Sequence, residues 1–137
     1  MRYIKTYPPV PEADIENLFT TIEPVKTPTI DGVVLSNLVR VCYECTLKTG
    51  ELIGMSIQDV AKKGSVGDFM KVGEDEKKVK LSSDAKQILQ NHIDYLKRNG
   101  YRLYPTSPLF PTKKNIRYHG RLLDNHLKKA QEIGTQK

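Results

Sequence analysis

Apolar residues recur at helical spacing in four stretches of the chain. In the first, Ile15, Leu18, Phe19 and Ile22 predict a helix that opens at Pro11-Glu12, with Glu12, Asp14 and Glu16 near its positive end. Pro24 and Pro28 end it in a loop. Asp31 is placed to cap a long second helix. Its apolar positions (Val34, Leu35, Leu38, Val39, Val41, Cys42, Cys45) are dense enough for a central, mostly buried element. Thr49-Gly50 interrupts this run, and residues 51–57 read as a short helix. Ser82-Ser83-Asp84 caps a further helix with Ile88, Leu89, His92, Ile93, Tyr95 and Leu96 on its apolar stripe, and Asn99-Gly100 stops it. A last helix is expected from about Asn115 to Ile133, built on Ile116, Leu122, Leu123, Leu127, Ala130 and Ile133 and ended by Gly134.

Between the long helix and Ser82 the period changes. Gln58–Lys63, Asp68–Val72 and Lys77–Leu81 are short runs separated by Gly64-Ser65-Val66-Gly67 and Gly73-Glu74-Asp75-Glu76. That pattern predicts three antiparallel strands joined by tight turns. Val79 and Leu81 alternate with Lys78 and Lys80, as in a strand with one wet face. Pro105, Pro108 and Pro111 make residues 101–115 an irregular connection, with Leu109-Phe110 as its buried anchor. Pro8, Pro9 and Pro11 make residues 1–11 an extended arm. The expected fold class is α+β, mainly helical with a small three-stranded antiparallel sheet, in one domain over residues 1–137.

Length and composition narrow the classes. A chain of 137 residues buries a core without disulfides or metal. Its 38% hydrophobic and 28% charged content fits a globular protein. No apolar run approaches the roughly 18 residues of a membrane span, and the N-terminus lacks the apolar core of a signal peptide. A cytoplasmic protein without membrane partners is expected. Lys and Arg total 22 against 16 for Asp and Glu, a net charge of +6. Residues 98–137 hold nine basic residues against Asp124 and Glu132, a net +7, which leaves −1 on residues 1–97. So uneven a distribution points to a polyanion partner, most often nucleic acid.

Most chemical constellations fail. Cys42-Tyr-Glu-Cys45 lies in an apolar helical pattern and reads as two small buried hydrophobes. His92, His119 and His126 have no paired metal spacing, so neither metal nor cofactor is expected. His119 and His126 read as helix residues on one face. There is no Gly-rich phosphate loop, no Ser nucleophile elbow and no HExxH.

One ordered set of segments does match a pattern. Residues 45–60 (CTLKTGELIGMSIQDV) are similar to T-G-L-R-x-G-E-L-L-G-L-x-x-x-D-V, with identities at Gly50 to Leu52, Gly54, Asp59 and Val60. The run from Lys71 to Ser82 is similar to T-K-x-x-K-x-R-x-V-P-L-S, with Lys80 at the proline. Leu109-Phe110-Pro111 and Leu127-Lys-Lys-Ala130 follow in order. These segments, over about residues 10–137, resemble the N-terminal two-thirds of the catalytic domain of tyrosine recombinases, the phage integrase family. The resemblance implies a family activity of site-specific DNA cleavage and rejoining. It puts Lys48 at the position of the arginine that binds the scissile phosphate, where lysine keeps the charge and loses the bidentate fork. It puts Lys71 at the hairpin lysine that protonates the leaving hydroxyl. The family's H-x-L-R-H motif and nucleophilic tyrosine have no counterpart, and His119-Gly-Arg121 is no substitute. The expectation is an integrase-like DNA-binding protein in which Lys48 and Lys71 are vestigial and no strand cleavage occurs. Its phosphate contacts would be Lys48, Lys71, Lys77, Lys113, Lys114, Arg117 and Arg121 on double-stranded DNA. Two alternatives remain at this point: a fragment of an active recombinase completed by a further C-terminal part, or an interaction module. The latter would use the surface left by missing helices for self-association or a protein partner.

Overall fold

In the computed structural model, residues 3–4, 10–11, 15–73 and 77–135 are described. Strands β1 (Tyr3–Ile4) and β2 (Val10–Pro11) form a short antiparallel ladder. The rest of the expected arm, Glu12, Asp14 and the Gly73 loop's Glu74-Asp75-Glu76 lie outside the described residues. Helices α1 (Ile15–Ile22), α2 (Gly32–Cys45) and α3 (Thr49–Ile53) lead to a 3-10 turn at Ile57–Asp59. Strands β3 (Ala61–Lys62), β4 (Ser65–Val66), β5 (Phe69–Val72) and β6 (Lys77–Lys80) follow, then helices α4 (Ser83–Arg98) and α5 (Gly120–Thr135).

Helix α2 is the central element, as its apolar density predicts. Val34, Leu35, Leu38, Val39, Val41 and Cys42 are all buried. It packs against α1, α3 and α4, and α5 closes over α1 and α3. Asp31 is its N-cap, accepting from the Val33 amide at 3.1 Å. Asp31 also gathers two tyrosines. The Tyr95 hydroxyl lies 2.8 and 2.9 Å from its two oxygens, and the Tyr101 hydroxyl donates to it at 2.7 Å. Lys26 Nζ donates to the Tyr95 oxygen at 3.0 Å. Gly32 follows because a Cβ there would lie 2.1 Å from the Ile22 carbonyl oxygen and 2.5 Å from that of Val25.

The helix boundaries differ from the sequence reading in three places. The long helix stops at Cys45, because Thr46 takes a left-handed conformation at φ 55°, and Thr49-Gly50 opens α3 instead of ending α2. The last helix starts at Gly120, not near Asn115. Asn115 sits at φ 63°, Ile116 is exposed, and the His119 imidazole accepts the Leu122 amide at 3.3 Å. His119 therefore stands just before the helix, where its carbonyl accepts the Leu123 amide at 3.0 Å. Gly134 lies inside α5 and not beyond its end. A Cβ there would meet the Thr21 carbonyl oxygen at 2.2 Å, so glycine serves the close α1–α5 contact.

The three-stranded sheet is replaced by two separate hairpins, β3–β4 and β5–β6. Gln58 and Asp59 belong to the 3-10 turn, and Ser65-Val66, expected to be part of a turn, is a strand. The reversal is the two-residue Lys63-Gly64 turn, with φ of 52° and 84°, the left-handed pair that matches strand twist. Gln90 of α4 holds this hairpin, accepting from the Val66 amide at 3.0 Å and donating to the Gly64 carbonyl at 2.9 Å. The Gly67 amide donates to the Val60 carbonyl at 3.0 Å and turns the chain into β5.

Leu109 and Phe110 are buried, as the anchor reading requires. His92 sits beneath them. Its Nε2 lies 2.6 Å from the Leu109 carbonyl oxygen, which only accepts, so Nε2 carries the proton. Nδ1 then accepts from Asn37 Nδ2 at 3.0 Å, and the ring stacks on Phe110 at 4.5 Å. Burial lowers its pKa from 6.5 to about 4, against the opposing pull of the Leu109 carbonyl.

Two predictions follow from these contacts. Gly32→Ala is expected to destabilise the fold by roughly 3 kcal/mol through overpacking. Gly50→Ala, with open space around its Cβ, is expected to stabilise α3 by roughly 0.5–1 kcal/mol. Urea unfolding of both variants checks the opposite signs. His92 adds a pH dependence. Above pH 6.5 the ring is neutral in both states, and below that the unfolded chain takes up the proton first. Stability is therefore expected to fall from pH 6.5 to about 4, by roughly 3 kcal/mol at 1.36 kcal/mol per unit. Unfolding free energies measured across that window, with His92→Gln lacking this component, test it.

Candidate functional site

Strands pair so that directly opposed residues share a face. In β5–β6 the register sets Phe69 opposite Lys80 and Lys71 opposite Lys78 on one face. Met70 opposite Val79 and Val72 opposite Lys77 form the other. Met70 and Val72 are buried, while Phe69, Lys71, Lys78 and Lys80 are exposed. Lys77 therefore pairs with Val72 on the other face from Lys71, and at the end of the strand it is itself exposed. The outer face is three lysines and one phenylalanine.

This face borders a groove of about 190 Å³ lined by Gln58, Val60, Lys62, Phe69, Lys71 and Lys78, among others. Drug-sized ligands occupy about 300 Å³ or more, so the groove suits a single small group. Asp59 also lines this groove and Asp68 stands nearby, and both are hydrogen-bonded. Asp59 accepts the Ser56 amide at 2.8 Å, closing the 3-10 turn. Asp68 is hydrogen-bonded and ion-paired to Lys86, which holds its carboxyl below the usual range. Lys71 and Lys78 have no such compensation from either carboxylate. Like charges directly opposed across a ladder destabilise it.

The remaining expected contacts are dispersed. Lys48 is exposed at the start of α3, where its backbone amide donates to Glu51 Oε1 at 2.9 Å. It does not line the Lys71 groove. Arg117 lies before the last helix and serves the fold. Its guanidinium donates to the carbonyls of Ile53 at 3.0 Å and Met55 at 2.7 Å, and to Ser56 Oγ at 3.0 Å. Lys113 Nζ donates to the Thr27 carbonyl at 2.8 Å. Lys113 and Lys114 line a second groove of about 190 Å³ with Pro28, Ile116, Leu122 and His126. His126 is bonded through Nδ1 to the Tyr118 hydroxyl at 2.7 Å, and burial lowers its pKa. Arg121 is exposed on the first turn of α5.

Lys62, Lys78, Lys80 and Phe69 were not among the residues the sequence reading selected. The period-two alternation of Lys78 and Lys80 with Val79 and Leu81 carried the signal. The net charge of each half obscured it, because acids elsewhere in residues 1–97 cancel these lysines in the sum.

Comparisons with family models, with curated proteins and with solved structures returned no match. The tyrosine recombinase resemblance accordingly stands on the motif residues alone.

Cys42 is a buried hydrophobe as expected, whereas Cys45 is only half-buried. Desolvation raises the Cys42 thiol pKa strongly and that of Cys45 to about 11, which keeps both as thiols at neutral pH. Among the described residues no group of three or more His, Cys, Asp or Glu is placed to hold a metal ion. No described helix is long and apolar enough to cross a membrane.

Arg117 gives this region its test. Arg117→Ala is expected to cost roughly 1–2 kcal/mol, since a cationic fork leaves two carbonyls. Lys48→Ala is expected to stay within about 0.5 kcal/mol of the parent. Thermal unfolding of the two variants separates a structural cation from a free one.

Proposed function

We propose that this protein binds DNA through its phosphate backbone, with the outer face of β5–β6 as the principal contact. The observation that carries the reading is the Lys71–Lys78 pair, two exposed lysines held directly opposite one another. Lys80 shares their face and Lys62 lines the same groove, while among the described residues Asp59 and Asp68 are hydrogen-bonded to the Ser56 amide and to Lys86. Such a pair costs the free protein electrostatic energy that a bound polyanion offsets. The recombinase resemblance supports the same face, because the family's DNA-contacting hairpin lysine falls on Lys71.

Lys48, Lys114 and Arg121 add exposed positive charge away from the hairpin. Lys48 and Lys71 act as separate phosphate contacts and not as a catalytic pair, because they stand on different elements and a lysine at 48 has no bidentate fork. Contacts of this kind position a protein and read no base sequence. A protein-interaction role is less well supported. The large exposed apolar residues Phe69, Tyr104 and Ile116 lie on three separate segments of the described chain.

Fluorescence anisotropy with labelled duplex DNA tests the proposal. Binding is expected at about 50 mM salt and is expected to weaken steeply toward about 200 mM. The double variant Lys71→Ala, Lys78→Ala is expected to lower the slope of log affinity against log salt by about 2. Its stability is expected to equal or exceed the parent's, since a repulsive pair is removed. Unchanged binding by that variant places the contact surface elsewhere, and no binding at low salt rejects the reading.

A further inference from the structure

We infer that the β5–β6 face takes unpaired nucleotides in preference to duplex, with Phe69 stacking one base while Lys62, Lys71 and Lys78 hold the flanking phosphates. This rests on the nucleic-acid reading above and specifies its substrate class. Phe69 is the one apolar residue among the four outward residues of the hairpin, and 51% of its surface is exposed. A single exposed phenylalanine is unremarkable on its own. Here it forms one wall of the groove that Lys62, Lys71 and Lys78 also line, with Val60 and Ala61 adding apolar surface and Gln58 an amide. Aromatic and cationic groups thus meet in a space of about 190 Å³, enough for one flat ring and too small for a ligand of several rings.

Duplex DNA does not use such a site fully. Its base faces are covered by neighbouring pairs, so a duplex would engage the lysines and leave Phe69 in water. An unpaired strand offers both groups at once: phosphates for the cations and a free π-face for the ring. One wall of the site is also fixed in advance. The Asp59 bond to the Ser56 amide and the Gln58 amide bond to the Pro105 carbonyl at 3.0 Å hold one wall. Gln90 ties down the hairpin that carries Lys62. Little ordering of that wall remains for the bound state to impose.

The protein contains no tryptophan, so Phe69→Trp introduces a single reporter at the proposed stacking position. The experiment titrates the full chain, its Phe69→Ala and its Phe69→Trp variants with a 20-nucleotide labelled single strand and with the corresponding duplex. Low salt is used, and circular dichroism checks each fold. The expected result is tighter binding of the single strand by the parent. Phe69→Ala is expected to lose about 5- to 150-fold for the single strand, the equivalent of about 1–3 kcal/mol per stacked base, with little change for the duplex. Phe69→Trp is expected to retain the preference and to show emission quenched by the single strand. Equal binding of both strands with no specific loss in Phe69→Ala, or an unquenched Phe69→Trp, overturns the inference and leaves the phosphate-binding reading standing. Binding of neither oligonucleotide overturns both.

Discussion

The Asp31 carboxylate is the constraint on which the arrangement depends. Buried at the N-terminus of the central helix, it accepts from the Val33 amide and from the hydroxyls of Tyr95 and Tyr101. A carboxylate withdrawn from water needs such donors, and each donor comes with an element attached. Tyr95 belongs to α4 and Tyr101 to the connection after it. Asp31 therefore fixes α4 against α2 at one end, while His92, bonded to Asn37 and to the Leu109 carbonyl, fixes it in the middle. From α4 the order passes outward. Gln90 grips the β3–β4 hairpin, and the Gly67 amide links that hairpin to the 3-10 turn beneath the groove. The groove wall that carries Lys62 is thus positioned from a buried carboxylate some distance away, through hydrogen bonds that can each be named.

Much of this was legible before any coordinates. The density of apolar residues from Val34 to Cys42 marks α2 as the core helix, and all of its expected interior positions except Cys45 are fully buried. Asp31 and Ser82 cap the helices they were expected to cap. Leu109-Phe110 is a buried anchor because two large apolar residues between prolines have nowhere else to go. Each of these follows from a local rule acting without competition.

What was not legible depends on contacts between distant segments. Gly134 looks like a helix stop, yet the helix continues through it because α1 approaches too closely for any side chain. Thr46 ends α2 in a conformation that threonine seldom adopts, and nothing in its neighbours announces it. Three short β runs invite a three-stranded sheet, but the 3-10 turn removes the first half of one run and a tight turn pairs the remainder with Ser65-Val66. The same limit applies to the basic residues. Arg117 resembles a surface phosphate contact until its guanidinium is seen spanning the carbonyls after α3. Lys78 and Lys80 were visible as a wet face, but their alliance with Phe69 and Lys62 required the register and the turn.

The Lys71–Lys78 opposition has a consequence for how the free protein responds to its surroundings. The two lysines are exposed and directly opposed in register across a four-residue ladder, and dissolved ions screen their mutual repulsion. In the unliganded molecule, added salt therefore relieves a small unfavourable interaction within the hairpin. The same ions compete with any polyanion laid across it. Ionic strength acts on this one element in two opposite senses, easing its repulsion when empty and emptying it when occupied. The repulsion is strongest at low salt, the condition under which the pair also attracts an anionic partner most strongly.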